Sequence, residues 1–301
     1  MLYGDLRYAK SAFEKGQNIT TLLKERLGLE QNSAEIIEIA YDLQAGSYIE
    51  SVKNKRDSWK AYTAEIAGIL SSYCAAAESV LDVGTGEMTT LAGVAKHCYN
   101  SSSEYYACDI SFSRLIKGKS FIAEELPEKL VQKINPFAAD LFYLPFVSSS
   151  IDVVWTSHAL EPNGGREKLA LTELLRVAKS KLILFEPYYE ENSSEGKSRM
   201  DRLGYIKGLP GVIKECGAVC EEIIPLQSIS NPLNPTHAFI ITPHAECKEE
   251  KNTPWACPAT RLPIAHVGDC YWSEYSMLAY PILQGVPIFR RESAILASGL
   301  K

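Results

Sequence analysis

The sequence is poor in several things, and each shortage argues against a class of function. It carries 31 Lys+Arg against 37 Asp+Glu in 301 residues, a formal charge of −6. A protein that tracks long nucleic acid needs Lys and Arg to displace counterions, so nucleic acid is not the expected partner. No apolar run approaches the ~18 residues of a membrane span, and MLYGDLRYAK holds no signal-peptide core. None of the eight cysteines stands in a C-x-x-C pair. A disulfide framework is therefore not expected. Together these absences suggest a cytoplasmic protein with no membrane partner and mostly buried, reduced thiols. The length suits one large domain plus a small one.

Two rhythms divide what is present. Residues 1 to about 55 are polar and helical. Apolar residues at 36, 37, 39, 40 and 43 form a stripe that Asn32 or Ser33 can cap and Gly46 can end. A second helix is expected in DSWKAYTAEIAGILSSYC, capped by Asp57 or Ser58. From residue 79, strand and helix alternate: SVLDV, TTLAGVAKHC, EYYACDI, SRLIKGKSFIAEEL, KINPFAADL, IDVVWTSHAL, REKLALTELLRVAK and KLILFEP. A helical region broken by Pro210 follows, then AVCEEIIPL and HAFIITP. Such alternation predicts an α/β fold with a mostly parallel sheet, and the two late strands suggest an antiparallel addition at one edge. Near residue 245, PHAECKEEKNTP reads as a linker to a small C-terminal unit.

The loop after SVLDV, at the carboxyl end of the first strand, is the expected ligand site. Gly84 and Gly86 are present, but Thr89 replaces the third glycine of a dinucleotide loop. Asp82 and Glu87 flank the turn; two carboxylates would repel a pyrophosphate and attract an ammonium or sulfonium. Asp109, at the end of the second strand, can accept from both hydroxyls of a ribose. Asp140 can accept from an adenine amino group with Leu141 on the ring, or can cap a turn.

The ordered series D-x-G-x-G-E (82–87), strand-end Asp109, D-L-x-x-L-P-F (140–146) and D-V-V (152–154) resembles the class I S-adenosylmethionine (SAM) dependent methyltransferases over residues ~58–243. The resemblance implies a Rossmann-like seven-stranded sheet whose last strand inserts antiparallel, and SAM as cofactor. It sets Gly84, Gly86 and Glu87 against the methionine part, Asp109 against the ribose and Asp140–Leu141 against the adenine, with Asp82 and Ser157 in the same site. It also suggests that residues 1–57 form a helical lid, with Tyr41, Gln44 and Tyr48 either touching SAM or substrate or simply packing.

The acceptor is read from three loops. TSHALEPNGG (156–165) lacks the N/D-P-P-Y/F of enzymes that methylate base amines or glutamine. It offers His158 as a general base for a hydroxyl or as a satisfied loop residue, and Glu161 as an acceptor ligand or a helix cap. The segment FEPYYEENSSEGKSRMDRLGYIKGL, from the end of the KLILFEP strand onward, supplies Glu186, Tyr188, Tyr189, Arg199 and Arg202, either as a substrate site or as a solvated loop; Arg199 suits a carboxylate or phosphate. NPLNPTH (231–237) adds Asn234 and a further base, His237. Three polar loops at one mouth favour a small-molecule or glycan acceptor methylated at oxygen. The alternatives are a methyltransferase of tRNA, rRNA or a translation protein, and a non-catalytic SAM-binding partner, which the intact acids and glycines disfavour. A homodimer is left open.

CPATRLPI (257–264) with LAYPILQGVPIF (278–289) resembles the zinc-ribbon-like activator subunit of tRNA and release-factor methyltransferases over ~254–298. Zinc needs four thiolate or imidazole ligands. Only Cys257 aligns with one, Thr260 and Ser273 stand where thiols would be, and Ser276 brings none. No metal is expected, and the unit should hold by packing on the larger domain. The expected organisation is a lid segment (1–57), a methyltransferase domain (58–245) and a β-rich unit (246–301).

Overall fold

The structure, a computed structural model, describes residues 6–98, 102–229, 231–243 and 253–300. Five helices come first: α1 (Leu6–Glu14), α2 (Ile19–Leu27), α3 (Ala34–Leu43), α4 (Ser47–Asn54) and α5 (Arg56–Cys74). Ser33 caps α3, its side chain accepting from the Ile36 amide at 3.3 Å. Gly46 does not close α3; it is the residue from which α4 starts. Only Lys55 separates α4 from α5, so Asp57 and Ser58 fall inside the first turn of α5 rather than before it.

Alternation then follows: β1 (Ser79–Val83), α6 (Thr89–Cys98), β2 (Glu104–Asp109), α7 (Phe112–Glu125), α8 (Glu128–Val131), β3 (Ile134–Ala138), β4 (Ile151–Ser157), α9 (Glu167–Val177) and β5 (Ala178–Pro187). After α10 (Ser194–Leu203) and α11 (Leu209–Glu215) come β6 (Val219–Pro225) and β7 (Thr236–Thr242). Pro210 sits in the first turn of α11, where its missing amide costs nothing.

These strands form one sheet in the order β3-β2-β1-β4-β5-β7-β6, and β7 runs against the other six. The order of strand addition reverses between the parallel neighbours β1 and β4, which opens a crevice at their carboxyl ends. The late strands differ from a simple edge addition. β7, buried along almost its whole length, enters between β5 and β6, and the carboxylate-bearing β6 takes the edge. Apolar THAFIIT can be covered on both faces, and VCEEIIP cannot.

The other edge, β3, is covered by residues 253–300. Trp255 stacks between Phe146 and Phe289, with ring centroids 4.8 and 4.9 Å away. The Phe289 amide donates to the Ala138 carbonyl at 2.7 Å. Five short strands build this unit: β8 (Ala265–Val267), β9 (Cys270–Trp272), β10 (Leu278–Leu283), β11 (Val286–Pro287) and β12 (Ile295–Leu296). Its Cys257, Ile264, Tyr280 and Phe289 belong to the same apolar cluster as Leu81 and Phe137 of the large sheet. Two turns share one backbone pattern, Arg261 N to Cys257 O (2.7 Å) and Met277 N to Ser273 O (2.8 Å). They bring the Cys257 thiol to 3.5 Å from Ser276 Oγ and 3.2 Å from the Tyr280 hydroxyl. Most of the expected linker, 243–254, and the boundary at 245/246 fall on residues 244–252, outside the described residues. Among the described residues no helix is long and apolar enough to cross a membrane.

Candidate active site

A cleft open to solvent lies over the carboxyl ends of β1, β2 and β4 and is roofed by α3 and the start of α4. Gly84 lines its floor and Gly86 follows in the same loop, with φ of +78° and +57°. A side chain at Gly84 would overlap Ala159, and one at Gly86 would overlap the Arg114 guanidinium. Close approach of β1 to the β4 loop therefore requires glycine at 84, and the seating of Arg114 against the loop favours it at 86.

Asp109 closes β2 and lines the cleft. Its two oxygens accept from Gly86 N (2.8 Å) and Ser111 N (2.9 Å), which orients the carboxylate and leaves lone pairs free. Asp140 and Leu141 line the same cavity with Phe142, Ile37 and Pro162. Asp140 also accepts from Phe142 N at 3.0 Å, so the turn-capping and ligand-facing readings coexist in one residue. Burial raises the Asp140 pKa, opposed by the Phe142 amide and by Arg166 and Arg290. Asn163 Oδ1 is buried here without a partner among the described residues. Tyr41 and Ser157 line the cleft as well; Ser157 Oγ lies 2.9 Å from the Tyr62 hydroxyl.

Two acids expected beside a cationic ligand are used otherwise. Glu87 is fully buried; it accepts from Gly46 N (3.0 Å), Tyr48 N (3.4 Å) and Ile49 N (2.8 Å). The start of α4 has no side-chain cap of its own, so Glu87 supplies one from across the fold and ties the lid to β1. Glu87→Gln is expected to cost about 1–2 kcal/mol and to speed amide exchange in residues 46–54, read by denaturation and exchange mass spectrometry.

Asp82 lies beneath the loop. Burial, reinforced by the charge of Asp109, pushes its carboxyl up to about 8, so it lends little negative charge at neutral pH. A folded pKa raised from 3.8 stabilises fully only below that value. The contribution is lost as pH rises toward 8, at about 1.4 kcal/mol per pH unit. Asp82→Asn should therefore gain more melting temperature relative to wild type at pH 8 than at pH 5.

Sequence reasoning missed Arg114. This buried guanidinium lines the cleft, 5.2 Å from the Tyr41 ring and 4.6 Å from that of Tyr48. Burial opposes its charge, and the carboxylates of Asp109 and Glu87 outweigh that. The acids of the loop thus already hold a cation, supplied by the chain. Its signal was its place one turn into α7, just after Asp109.

At the other end of the cleft, His158 takes φ +57° at the end of β4. Its Nδ1 lies 2.6 Å from Glu161 Oε2 and its Nε2 lies 2.9 Å from Thr236 Oγ1. Glu161 also accepts from Asn234 Nδ2 at 3.0 Å, and Tyr205 adds a further contact. Burial by itself would lower the His158 pKa; the Glu161 charge and hydrogen bond outweigh it and raise it. The Glu161 pKa is lowered, because His158, Asn234 and Tyr205 overcome its burial.

Glu186 is wholly buried and accepts from Thr156 Oγ1 and from the amides of Ala159, Leu160 and Glu161. It braces the 156–161 loop rather than facing a ligand, and burial pushes its carboxyl up to about 7. His237 does not line the cleft: its Nε2 lies 3.4 Å from Glu191 and its ring packs edge-on to Tyr188. Successive strand residues face opposite sides, so β7 presents Thr236 to His158 and turns His237 away. Tyr189 is likewise off the cleft, donating to Asp201 at 3.2 Å. Arg199 lies beside Tyr205, 5.4 Å over its ring, behind Glu161.

Residues 81–185, the stretch that carries β1 to β5 and most of this cleft, match the family model described as a methyltransferase domain. Among solved structures the chain is similar to the methyltransferase domain of bacterial CtHen1-C (20% identity, 62% of this chain and 98% of that one, TM-score 0.47). It is also similar to magnesium protoporphyrin IX methyltransferase from Synechocystis PCC 6803 with bound SAH (15%, 63% and 85%, TM-score 0.49). A third is geranyl diphosphate C-methyltransferase from Streptomyces coelicolor A3(2) with Mg2+, geranyl diphosphate and S-adenosyl-L-homocysteine (12%, 60% and 76%, TM-score 0.46). No curated protein matches the chain. Residues 81–185 are thus a methyltransferase domain, and the ordered acids and glycines of the cleft loops, Asp82, Gly84, Gly86, Asp109 and Asp140, lie within it.

Proposed function

We propose that the protein methylates an oxygen of a small polar acceptor, a sugar, glycan or related metabolite, with His158 as general base. The residues present fit the cofactor. A glycine floor allows close backbone approach, Asp109 offers two acceptor oxygens, and Leu141, Phe142 and Ile37 give apolar walls beside Asp140 and the unpartnered Asn163 Oδ1. SAM, when bound, supplies an electrophilic methyl group.

The observation that carries the acceptor reading is the Glu161–His158 pair at the cleft wall. Glu161 holds Nδ1, which fixes the ring and directs Nε2 toward Thr236 Oγ1. The Thr236 hydroxyl marks the direction from which a proton reaches Nε2. An acceptor hydroxyl within hydrogen-bond reach of Nε2 would give its proton there, and Glu161 would stabilise the imidazolium. Asn234 and Tyr205 hold the Glu161 carboxylate in place, and Arg199 bonds Tyr205 behind it.

Transfer of label from methyl-labelled SAM into a panel of sugars, nucleotide sugars and hydroxylated metabolites, run beside bulk tRNA, rRNA and ribosomal protein, tests this. Label in a small hydroxylated product supports the reading. Label confined to RNA or protein replaces it with the macromolecular alternative.

A further inference from the structure

Helix α3 roofs the cleft with Ala34, Ile37 and Tyr41, spaced three and four residues apart along one face. The adjacent face carries Glu38 and Asp42, four apart, and each is tied to a different part of the protein. Asp42 accepts from Ser111 Oγ (2.7 Å), Ser113 N (3.2 Å) and Ser113 Oγ (3.0 Å), at the start of α7. Glu38 pairs with Nη1 of Arg290, which belongs to the C-terminal unit.

Arg290 is well placed to act as an anchor. Its side chain is 8% exposed, and it also faces Glu292 at 3.7 Å. The preceding residue, Phe289, is fixed to the end of β3 by its bond to Ala138 O and by its stack on Trp255. Asp140 lies two residues beyond Ala138, close enough for the Arg290 charge to act on it. A guanidinium rooted in the C-terminal unit thus reaches both the lid and the Asp140 end of the cleft. None of the methyltransferase motifs contains it.

We infer that Arg290 is a positioning residue for the cofactor: by pairing with Glu38 it holds α3 over the Asp140 end of the cleft, so that the C-terminal unit sets cofactor affinity. This rests on the reading that SAM occupies the cleft. Apparent affinity scales with the fraction of molecules in the closed, competent state. Releasing α3 so that about one molecule in ten is closed weakens binding about tenfold.

The test is calorimetric titration of S-adenosylhomocysteine into the full chain as wild type, Arg290→Met, Glu38→Gln, the double variant and Arg290→Lys. Each neutralising single variant should bind about tenfold more weakly, the double no more weakly than the worse single, and Arg290→Lys between wild type and Arg290→Met. Amide exchange should rise in residues 34–43 and stay unchanged in β1 and β4. Binding within about twofold of wild type in both singles, or losses that multiply in the double variant, would overturn the inference. If Arg290→Met fails to fold, Glu38→Gln, which leaves the C-terminal unit intact, decides alone. Wild type that binds no S-adenosylhomocysteine would instead refute the cofactor reading, and exchange in residues 34–43 would still report on the brace.

Discussion

Replacing His158 should lower turnover by roughly 10²–10⁴-fold, the range that a general base contributes, while cofactor affinity changes little. The replacement needs care, because the residue sits at φ +57°. Alanine there adds backbone strain of about 1–2 kcal/mol, whereas asparagine tolerates that region and carries no base. His158→Asn is therefore the cleaner variant, with His158→Ala as its companion. The direction of the pH effect follows from the pair. Glu161 outweighs burial and raises the imidazole pKa above its ordinary value of 6.5. The base works only when deprotonated, so kcat/KM should climb as pH rises through that raised pKa and then level off. Glu161→Gln removes the raising charge and should move the climb to lower pH. The asparagine variant should lose the climb altogether. Loss of cofactor binding in His158→Asn, with turnover of the bound fraction intact, would make the histidine a cofactor contact.

Asp109→Ala should weaken SAM binding by about 100-fold, equivalent to roughly 3 kcal/mol for two hydrogen bonds to a carboxylate. The geometry gives the reason. Both Asp109 oxygens already take one backbone amide each, at Gly86 and Ser111, so the carboxylate is locked before any ligand arrives. Alanine removes the ligand contacts and also frees the glycine loop. Asp109→Asn separates these effects: its amide oxygen keeps one of the two backbone bonds, and its NH₂ faces a hydroxyl-bearing ligand with the wrong polarity. Binding measured by calorimetry should fall in both variants, with melting temperature falling more in alanine. Equal affinity in wild type and Asp109→Ala would remove Asp109 from the site.

Much of this was legible in the chain because local chemistry and global fold agree along it. SVLDV, EYYACD and IDVVWTS are apolar runs that only a covered parallel sheet can hold, and the acids at their ends mark the crevice. The roles of Glu87 and Glu186 were not legible, because their partners are backbone amides brought close only by folding: three at the start of α4, three in the 159–161 loop. A carboxylate beside a glycine loop looks alike whether it meets a ligand or a helix end. The Thr236–His237 choice turned on strand phase, which a single residue of register reverses. Arg114 acts on Tyr41 and Tyr48 and Arg290 acts on Glu38, partners far away along the chain, and no periodicity carries such pairings.

The loop at Gly84–Gly86 raised the choice between a dinucleotide and a sulfonium cofactor. Side-by-side titration of SAM, S-adenosylhomocysteine and NAD into the full chain by calorimetry tests that choice most directly. The account expects SAM and S-adenosylhomocysteine to bind at one site per chain, and NAD to give no saturable heat. Saturable binding of NAD with no heat from SAM would contradict it.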